Sequence, residues 1–243
     1  MKTFIGGIPH EDGLPIFSYS SLKMFHDSSH QWINRVNRVA KDPNAGNYVK
    51  PDGTTGNYFT EGKVGHRIIQ DHISNKKLDD RLIWLTEKFP IVEKVDFDKD
   101  CEFKIKVKGY TINGFLDAQD PAHARYGEIK LSSSTWSYKQ YKDSVQRKIY
   151  ALAYPQYKEG ILITGPRFPD MWKEKEFAGE KYSELKVLPP CPLTDQDRKE
   201  AEKWIIEGLE IFENGDYTGG LDENGRCNDR NCAYGPNCLF KQI

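Results

Sequence analysis

Long apolar runs are missing from this 243-residue sequence: the longest, 149–154, has six residues, far short of the roughly 20 that cross a bilayer. The N-terminus has Lys2 and a brief apolar stretch, cut off by Pro9, His10, Glu11 and Asp12. That is too short and too polar for a secretory signal. Cysteine is scarce and odd in number: five, with three crowded between positions 227 and 238, which argues against a disulfide scaffold and for a reducing, cytoplasmic compartment. An excess of either charge is also lacking. The 35 Lys+Arg against 36 Asp+Glu leave a net charge of −1, so any attraction to nucleic acid must come from local residues. Internal repeats and low-complexity tracts are absent too.

What is present suits one folded domain, 1–243, with a core over about 18–190 and a C-terminal helix and cysteine-containing tail over 191–243. Hydrophobic residues make up 37% and charged ones 29%, but 12% aromatics argue against disorder. A chain of this length hides roughly 70% of its extended surface on folding, enough for a core without covalent staples.

Periodicity outlines the elements. Ser18 or Ser20 can cap a helix whose stripe runs Leu22, Phe25, Ser29, Trp32, Ile33 and Val36. Asp42 to Gly56 reads as a long loop. Thr60 can cap a helix to about Ser74, with Val64, Ile68, Ile69 and Ile73 inward. Cys101, Phe103, Ile105 and Val107 alternate toward one side of a strand. A Lys108-Gly109 turn and a strand from Tyr110 to Gln119 complete a hairpin. A third strand spans 127–131, a helix 138–154, and an apolar strand 160–164. Thr194 caps a last long helix that Gly215 ends. This order predicts an α/β (α+β) class, a central mixed sheet flanked by helices.

The chemistry concentrates between Asp117 and Lys130. Glu128 and Lys130 are two apart, so both leave one face of a strand while Ile129 points the other way. If the chain at Asp117 pairs beside that strand, two carboxylates and an ammonium converge. Such oxygen donors suit Mg²⁺ or Mn²⁺, and the lysine can orient water or meet phosphate charge. The implied reaction is metal-assisted phosphodiester hydrolysis. Gly62 and Gly65 permit close approach at the start of a helix that carries His66. Gln146 and Tyr150, four apart, share one helix face and can hold the lysine or a phosphate oxygen.

G-x-x-x-H (Gly62 to His66), G-x-x-D (Gly114 to Asp117), E-x-K (Glu128 to Lys130) and Q-x-x-x-Y (Gln146 to Tyr150) occur in that order, after Ser18-Tyr-Ser-Ser-Leu-Lys-Met-Phe25. The series resembles the RecB-like branch of the PD-(D/E)XK nuclease superfamily, which includes CRISPR-associated RecB-like exonucleases and nuclease domains of recombination helicases. The resemblance covers about residues 18–154 and implies a restriction-endonuclease-like core. It implies metal binding by His66, Asp117, Glu128 and the Ile129 carbonyl, water activation by Lys130, and a hold on that lysine and the DNA backbone by Gln146 and Tyr150. A DNA exonuclease of recombination, repair or phage DNA processing follows, in a bacterium or phage-infected host. DNA with ends is the partner, and a recombination or replication protein is a candidate second one. A structure-specific endonuclease, or a non-catalytic DNA-binding or zinc-organised interaction protein, are the alternatives. Trp136, in the Ser132–Trp136 loop, and Arg147 are candidate DNA contacts, with a Ser-rich helix cap as the plainer account of that loop.

Cys227, Cys232 and Cys238 form a candidate Zn²⁺ or iron–sulfur site, with a metal-free remnant of an ancestral cluster as the alternative. The resemblance implies a cluster completed by a cysteine three residues after Phe25, where this chain has Ser28. His26, His30 or Cys191 could supply the fourth ligand instead. Cys101, alternating inward, reads as core.

Overall fold

The computed structural model describes residues 3–5, 8–49, 53–74, 76–88, 101–132, 134–223, 225, 227, 234 and 237–240. Strands β1 (Thr3–Ile5), β2 (Ile8–Glu11) and β3 (Leu14–Ser18) lead to helices α1 (Tyr19–Ser28) and α2 (His30–Val36). Short strands β4 (Asn47–Val49) and β5 (Thr55–Asn57) precede helix α3 (Tyr58–Ile73), with α4 (Leu85–Lys88) after it. Strands β6 (Glu102–Val107), β7 (Tyr110–Phe115), β8 (Ala118–Asp120) and β9 (Arg125–Leu131) are followed by α5 (Tyr138–Asp143) and α6 (Val145–Ala153). Then come β10 (Glu159–Gly165), β11 (Lys175–Phe177), β12 (Glu180–Tyr182), β13 (Lys186–Val187), β14 (Cys191–Pro192) and helix α7 (Asp195–Asn214). No helix among the described residues is long and apolar enough to cross a membrane. The class is mixed α/β, but two larger mixed sheets stand where the sequence predicts one.

The chain divides into two compact units. The first comprises Met1–Asn47, Lys104–Gly114 and Lys199–Ile243. Its sheet runs β1-β2-β3-β7-β6, with β3 parallel to β7. Lys108 and Gly109 both have positive φ (50° and 84°), which twists the β6–β7 turn to match its strands. Ser18 caps α1 through a reciprocal bond with Ser21, and Phe17, Leu22, Phe25 and Trp32 bury their side chains in the core. The predicted continuous stripe breaks at Ser29. There Ser29 Oγ accepts the Gly219 N–H (2.9 Å) and His30 Nδ1 meets the Gly219 carbonyl (2.8 Å). Helix α2 starts anew at His30, and Val36 at its end is exposed rather than inward.

The second unit comprises Tyr48–Phe103 and Phe115–Arg198. Its main sheet runs β13-β10-β9-β8, with β14 also on β10. Strands β9 and β10 are parallel from Glu159↔Arg125 to Gly165↔Leu131, as a strand–helix–strand crossover through α5 and α6 requires. The predicted 138–154 helix is two helices, because Ser144 takes an extended ψ of 124°. The strand predicted through Gln119 also stops at Phe115 and resumes at Ala118, with Leu116 N–H donated to the Cys101 carbonyl (2.9 Å).

Helix α3 lies tight on β9. A Cβ at Gly65 would stand 2.7 Å from Leu131 Cδ1 and 3.1 Å from the Trp172 ring, so the glycine sets the helix–sheet distance. This register rotates the helix from the predicted phase. Gly65, Ile69, His72 and Ile73 are buried, while Val64 is 53% exposed. Asn57, not Thr60, caps the helix.

Candidate functional site

Strand β8 pairs with β9 only from Asp120↔Arg125 to Ala118↔Gly127. Past Gly127 that edge of β9 meets a side chain instead of a strand: Asp117 Oδ2 accepts the Ile129 N–H at 2.8 Å. The bend at Leu116–Asp117 is what brings this carboxylate to the edge. From the overlying helix, His66 Nε2 lies 3.0 Å from the Ile129 carbonyl oxygen and 3.4 Å from Asp117 Oδ2. Gln70, one turn further along α3, donates to the Asp117 carbonyl at 3.0 Å. Gly65 makes this possible by letting α3 approach closely.

Glu128 occupies the next position on β9 and is almost wholly buried, at 2% exposure. Lys130 forms an ion pair with it, yet neither carboxylate oxygen has an aligned hydrogen-bond partner. Burial, and then the charge of Asp117, push its pKa up to about 7, with Lys130 and His66 pulling the other way. Burial works against a charged His66, but Asp117, the Ile129 carbonyl and Glu128 together hold its pKa above the usual range.

Lys130 is held by a directed chain. Its Nζ donates to Gln146 Oε1 (2.8 Å), Gln146 Nε2 donates to Tyr150 Oη (2.6 Å), and Tyr150 donates to the Phe115 carbonyl (3.1 Å). The lysine can only donate, so it fixes which end of the Gln146 amide faces it. Burial first, then Glu128 and Asp117, keep the Tyr150 hydroxyl protonated well above its usual range, as a donor must be. The ammonium also lies 6.0 Å from the Trp136 ring centroid.

Carboxylates, a backbone carbonyl and an imidazole are donors of the kind a small divalent cation takes, but here their ligand atoms are not drawn together to 4.8 Å; among the described residues the His/Cys/Asp/Glu group that is so drawn together is His30, Cys227 and Cys238. His66, Asp117, Glu128 and the Ile129 carbonyl, the four expected ligand groups, lie in one neighbourhood. The sequence reading missed Gln70, four residues after His66 and therefore on its helix face.

Two expectations need correcting. Tyr150 is buried, so it positions Gln146 and does not face a DNA strand. Arg147 is also buried, with its guanidinium committed to Asp197 and to the Lys142 and Pro192 carbonyls (both 3.0 Å). It cannot take a phosphate. Asp197 also closes the Thr194 cap of α7, which ties the two roles to one residue. Trp136 is half-buried against Tyr141, Leu162 and Cys191, and its backbone N–H donates to Thr164 Oγ1 (3.1 Å).

In the first unit, His30, Cys227 and Cys238 are all buried, with ligand atoms within 4.8 Å of one another, an arrangement that could hold a metal ion. The cysteines are free thiols. His30 Nδ1 points to the Gly219 carbonyl, which leaves Nε2 as an acceptor, and Nε2 is buried with no partner. Asn34 donates to Cys238 Sγ (3.2 Å) and accepts the Leu239 N–H (2.9 Å). His26 is engaged elsewhere, stacked on Trp204 and bonded to the Trp204 carbonyl. Cys191 belongs to the second unit, and Cys232 lies outside the described residues. Cys101 is buried, as expected of a core residue. No protein-family model and no curated protein sequence matches the chain.

Proposed function

We propose that the chain is a metal-dependent DNA exonuclease of the RecB-like PD-(D/E)XK kind. The observation that carries this reading is Glu128: a buried carboxylate with no aligned donor, beside Asp117, the Ile129 carbonyl and His66. Burying a charge is costly, and the Lys130 ammonium that pairs with Glu128 faces the added repulsion of Asp117, which raises the Glu128 pKa despite it. A divalent cation held there would polarise the phosphodiester and lower the pKa of a bound water. Asp117 and Glu128 supply negative charge, and Asp117 is fixed by the Ile129 N–H. Lys130, aimed by Gln146, supplies a positive charge for the attacking water and the phosphate. Water would lose a proton to solvent as it attacks phosphorus, the opposite P–O bond would break, and the departing oxygen would take up a proton from solvent. The mixed sheet and its helices are compatible with the core that the motif order implies.

End-labelled linear DNA with Mg²⁺ or Mn²⁺, beside a covalently closed circle, tests the reading. Loss of the linear DNA with the circle intact is expected. Cutting of the circle would replace the exonuclease by an endonuclease, and no cleavage with either metal would overturn the catalytic reading.

For the His30, Cys227 and Cys238 cluster the fitting ion is zinc, since thiolate with imidazole selects it. The Nδ1 contact of His30 to Gly219 orients the ring as outer partners of metal-bound histidines do. Protein purified under reducing conditions should carry zinc, and His30→Ala or Cys238→Ser should lose it together with part of its thermal stability. A visible absorption band with bound iron would replace zinc by an iron–sulfur cluster. Metal-free wild type of unchanged stability would leave the thiols as core residues.

A further inference from the structure

His72 is the second histidine of α3 and is 1% exposed. It stands six residues after His66, so the two side chains leave the helix about 120° apart, on different faces. Its Nδ1 accepts the Asp79 backbone N–H at 3.0 Å, which places the proton of the neutral ring on Nε2. Nε2 is buried with no aligned partner. The donor belongs to a firmly tied turn. Asp79 caps the short 3₁₀ turn Asp80–Leu82 by accepting the Arg81 N–H (3.0 Å), and its carbonyl accepts the Leu82 N–H (2.9 Å). The Arg81 guanidinium bridges Asp79 (2.7 Å) and Asp170 (2.9 Å). The Trp84 indole N–H meets the Arg81 and Trp172 carbonyls (3.1 and 3.2 Å), and Trp172 is the ring beside Gly65. Burial holds the His72 pKa below the usual 6.5, against the charge of Asp79 and the Leu82 backbone, which favour the charged ring. Asp71, its neighbour on α3, pairs with Arg67 instead.

We infer that His72 is a proton-operated latch: its neutral ring holds the 79–82 turn on α3, and a proton on Nδ1 releases the turn. An imidazolium donates from both nitrogens and accepts from neither. A proton on Nδ1 therefore meets the Asp79 N–H donor to donor, while the Nε2 proton stays buried without an acceptor. The docked turn excludes the proton, and the proton excludes docking. The sign follows from linkage. A histidine held below its usual pKa in the docked state, and released to the usual 6.5 when the turn opens, supports docking fully above that value. That support is lost as pH falls, and the open population rises about tenfold per pH unit until the docked ring itself titrates. The latch does not depend on the nuclease reading. Where that reading holds, the latch adds a regulation: acid frees the Trp84 link to Trp172, which supports α3 at Gly65 next to His66.

NMR of the isotopically labelled full chain across the acid-to-neutral range reads the ring and the turn separately, without any cleavage assay. Wild-type His72 should be the Nε2–H tautomer at neutral pH and titrate below the usual histidine range. Amide-exchange protection at Asp79 and Leu82, corrected for the intrinsic pH dependence of exchange, should fall about tenfold per pH unit as the solution is acidified. His72→Asn sets a non-titrating amide oxygen near the place of Nδ1; it should keep the turn docked and lose the pH dependence. His72→Phe, with no acceptor, should leave the Asp79 amide unprotected at every pH. An Nδ1–H tautomer, titration at or above the usual value, or wild-type protection that ignores pH would overturn the latch. So would a pH dependence that survives in His72→Asn. The wild-type ring and exchange data decide the matter where a variant does not fold.

Discussion

Lys130→Ala should lower DNA cleavage by about 10²–10³-fold or more, with binding of linear DNA in Ca²⁺ largely kept. The side chain is the one cation among the described residues paired with Glu128, and Gln146 and Tyr150 are arranged to aim it. Loss of the ammonium should appear in kcat rather than KM, since it acts on charge that develops in the reaction. The neighbours give a graded control. Tyr150→Phe keeps the buried ring and deletes both hydroxyl bonds, freeing Gln146 to turn. Its cleavage should fall about tenfold, with the pH–rate profile displaced and unfolding little changed. Single-turnover rates across pH check both. Equal cleavage by Lys130→Ala and wild type would remove Lys130 from the chemistry and shift attention to the cysteine cluster.

The parts of this site legible in sequence are those set by local geometry. The alternation Cys101, Phe103, Ile105, Val107 with Lys108-Gly109 behind it encodes the hairpin, because period two and a left-handed turn need no distant partner. Two residues apart on a strand, Glu128 and Lys130 had to share a face. Gln146 and Tyr150, four apart on a helix, had to meet. The failures are tertiary. Val64 fits the apolar stripe of α3, yet contact of Gly65 with Leu131 and Trp172 fixes another rotation and turns Val64 outward. Ser29 belongs to an unbroken helical pattern until Gly219, 190 residues away, takes its hydroxyl. Arg147 reads as a surface cation beside Lys148, because nothing nearby announces that Asp197 will bury it.

Glu128→Gln should make the protein more stable at pH 8 without divalent cations, and should abolish its stabilisation by them. Burial, and then Asp117, raise the Glu128 pKa from the 4.5 of an unfolded glutamate to about 7. Between those values the folded chain binds a proton that the unfolded chain does not, so stability falls as pH rises through this window and the deficit persists above it. The difference corresponds to on the order of 3 kcal/mol, or roughly 6–12 °C in Tm for a chain of this size. His66 contributes in the same direction: its raised pKa favours the fold at low pH and that support is lost as pH rises through it. In Glu128→Gln the His66 contribution survives through Asp117, so a shallower slope remains. The amide matches the carboxylate in shape, so packing is conserved. Thermal melts of wild type and variant from pH 5 to 8, with chelator and with Mg²⁺, measure all of this. The two proteins should converge near pH 5, separate toward pH 8 in chelator with the variant higher, and exchange rank when Mg²⁺ stabilises wild type alone. Parallel, pH-independent melts with no response to the cation would mean that Glu128 carries no excess charge cost, and the cation site would go with it. Exchange of rank would instead identify the buried carboxylate as stability given up for cation binding, a cost that packing alone would not retain.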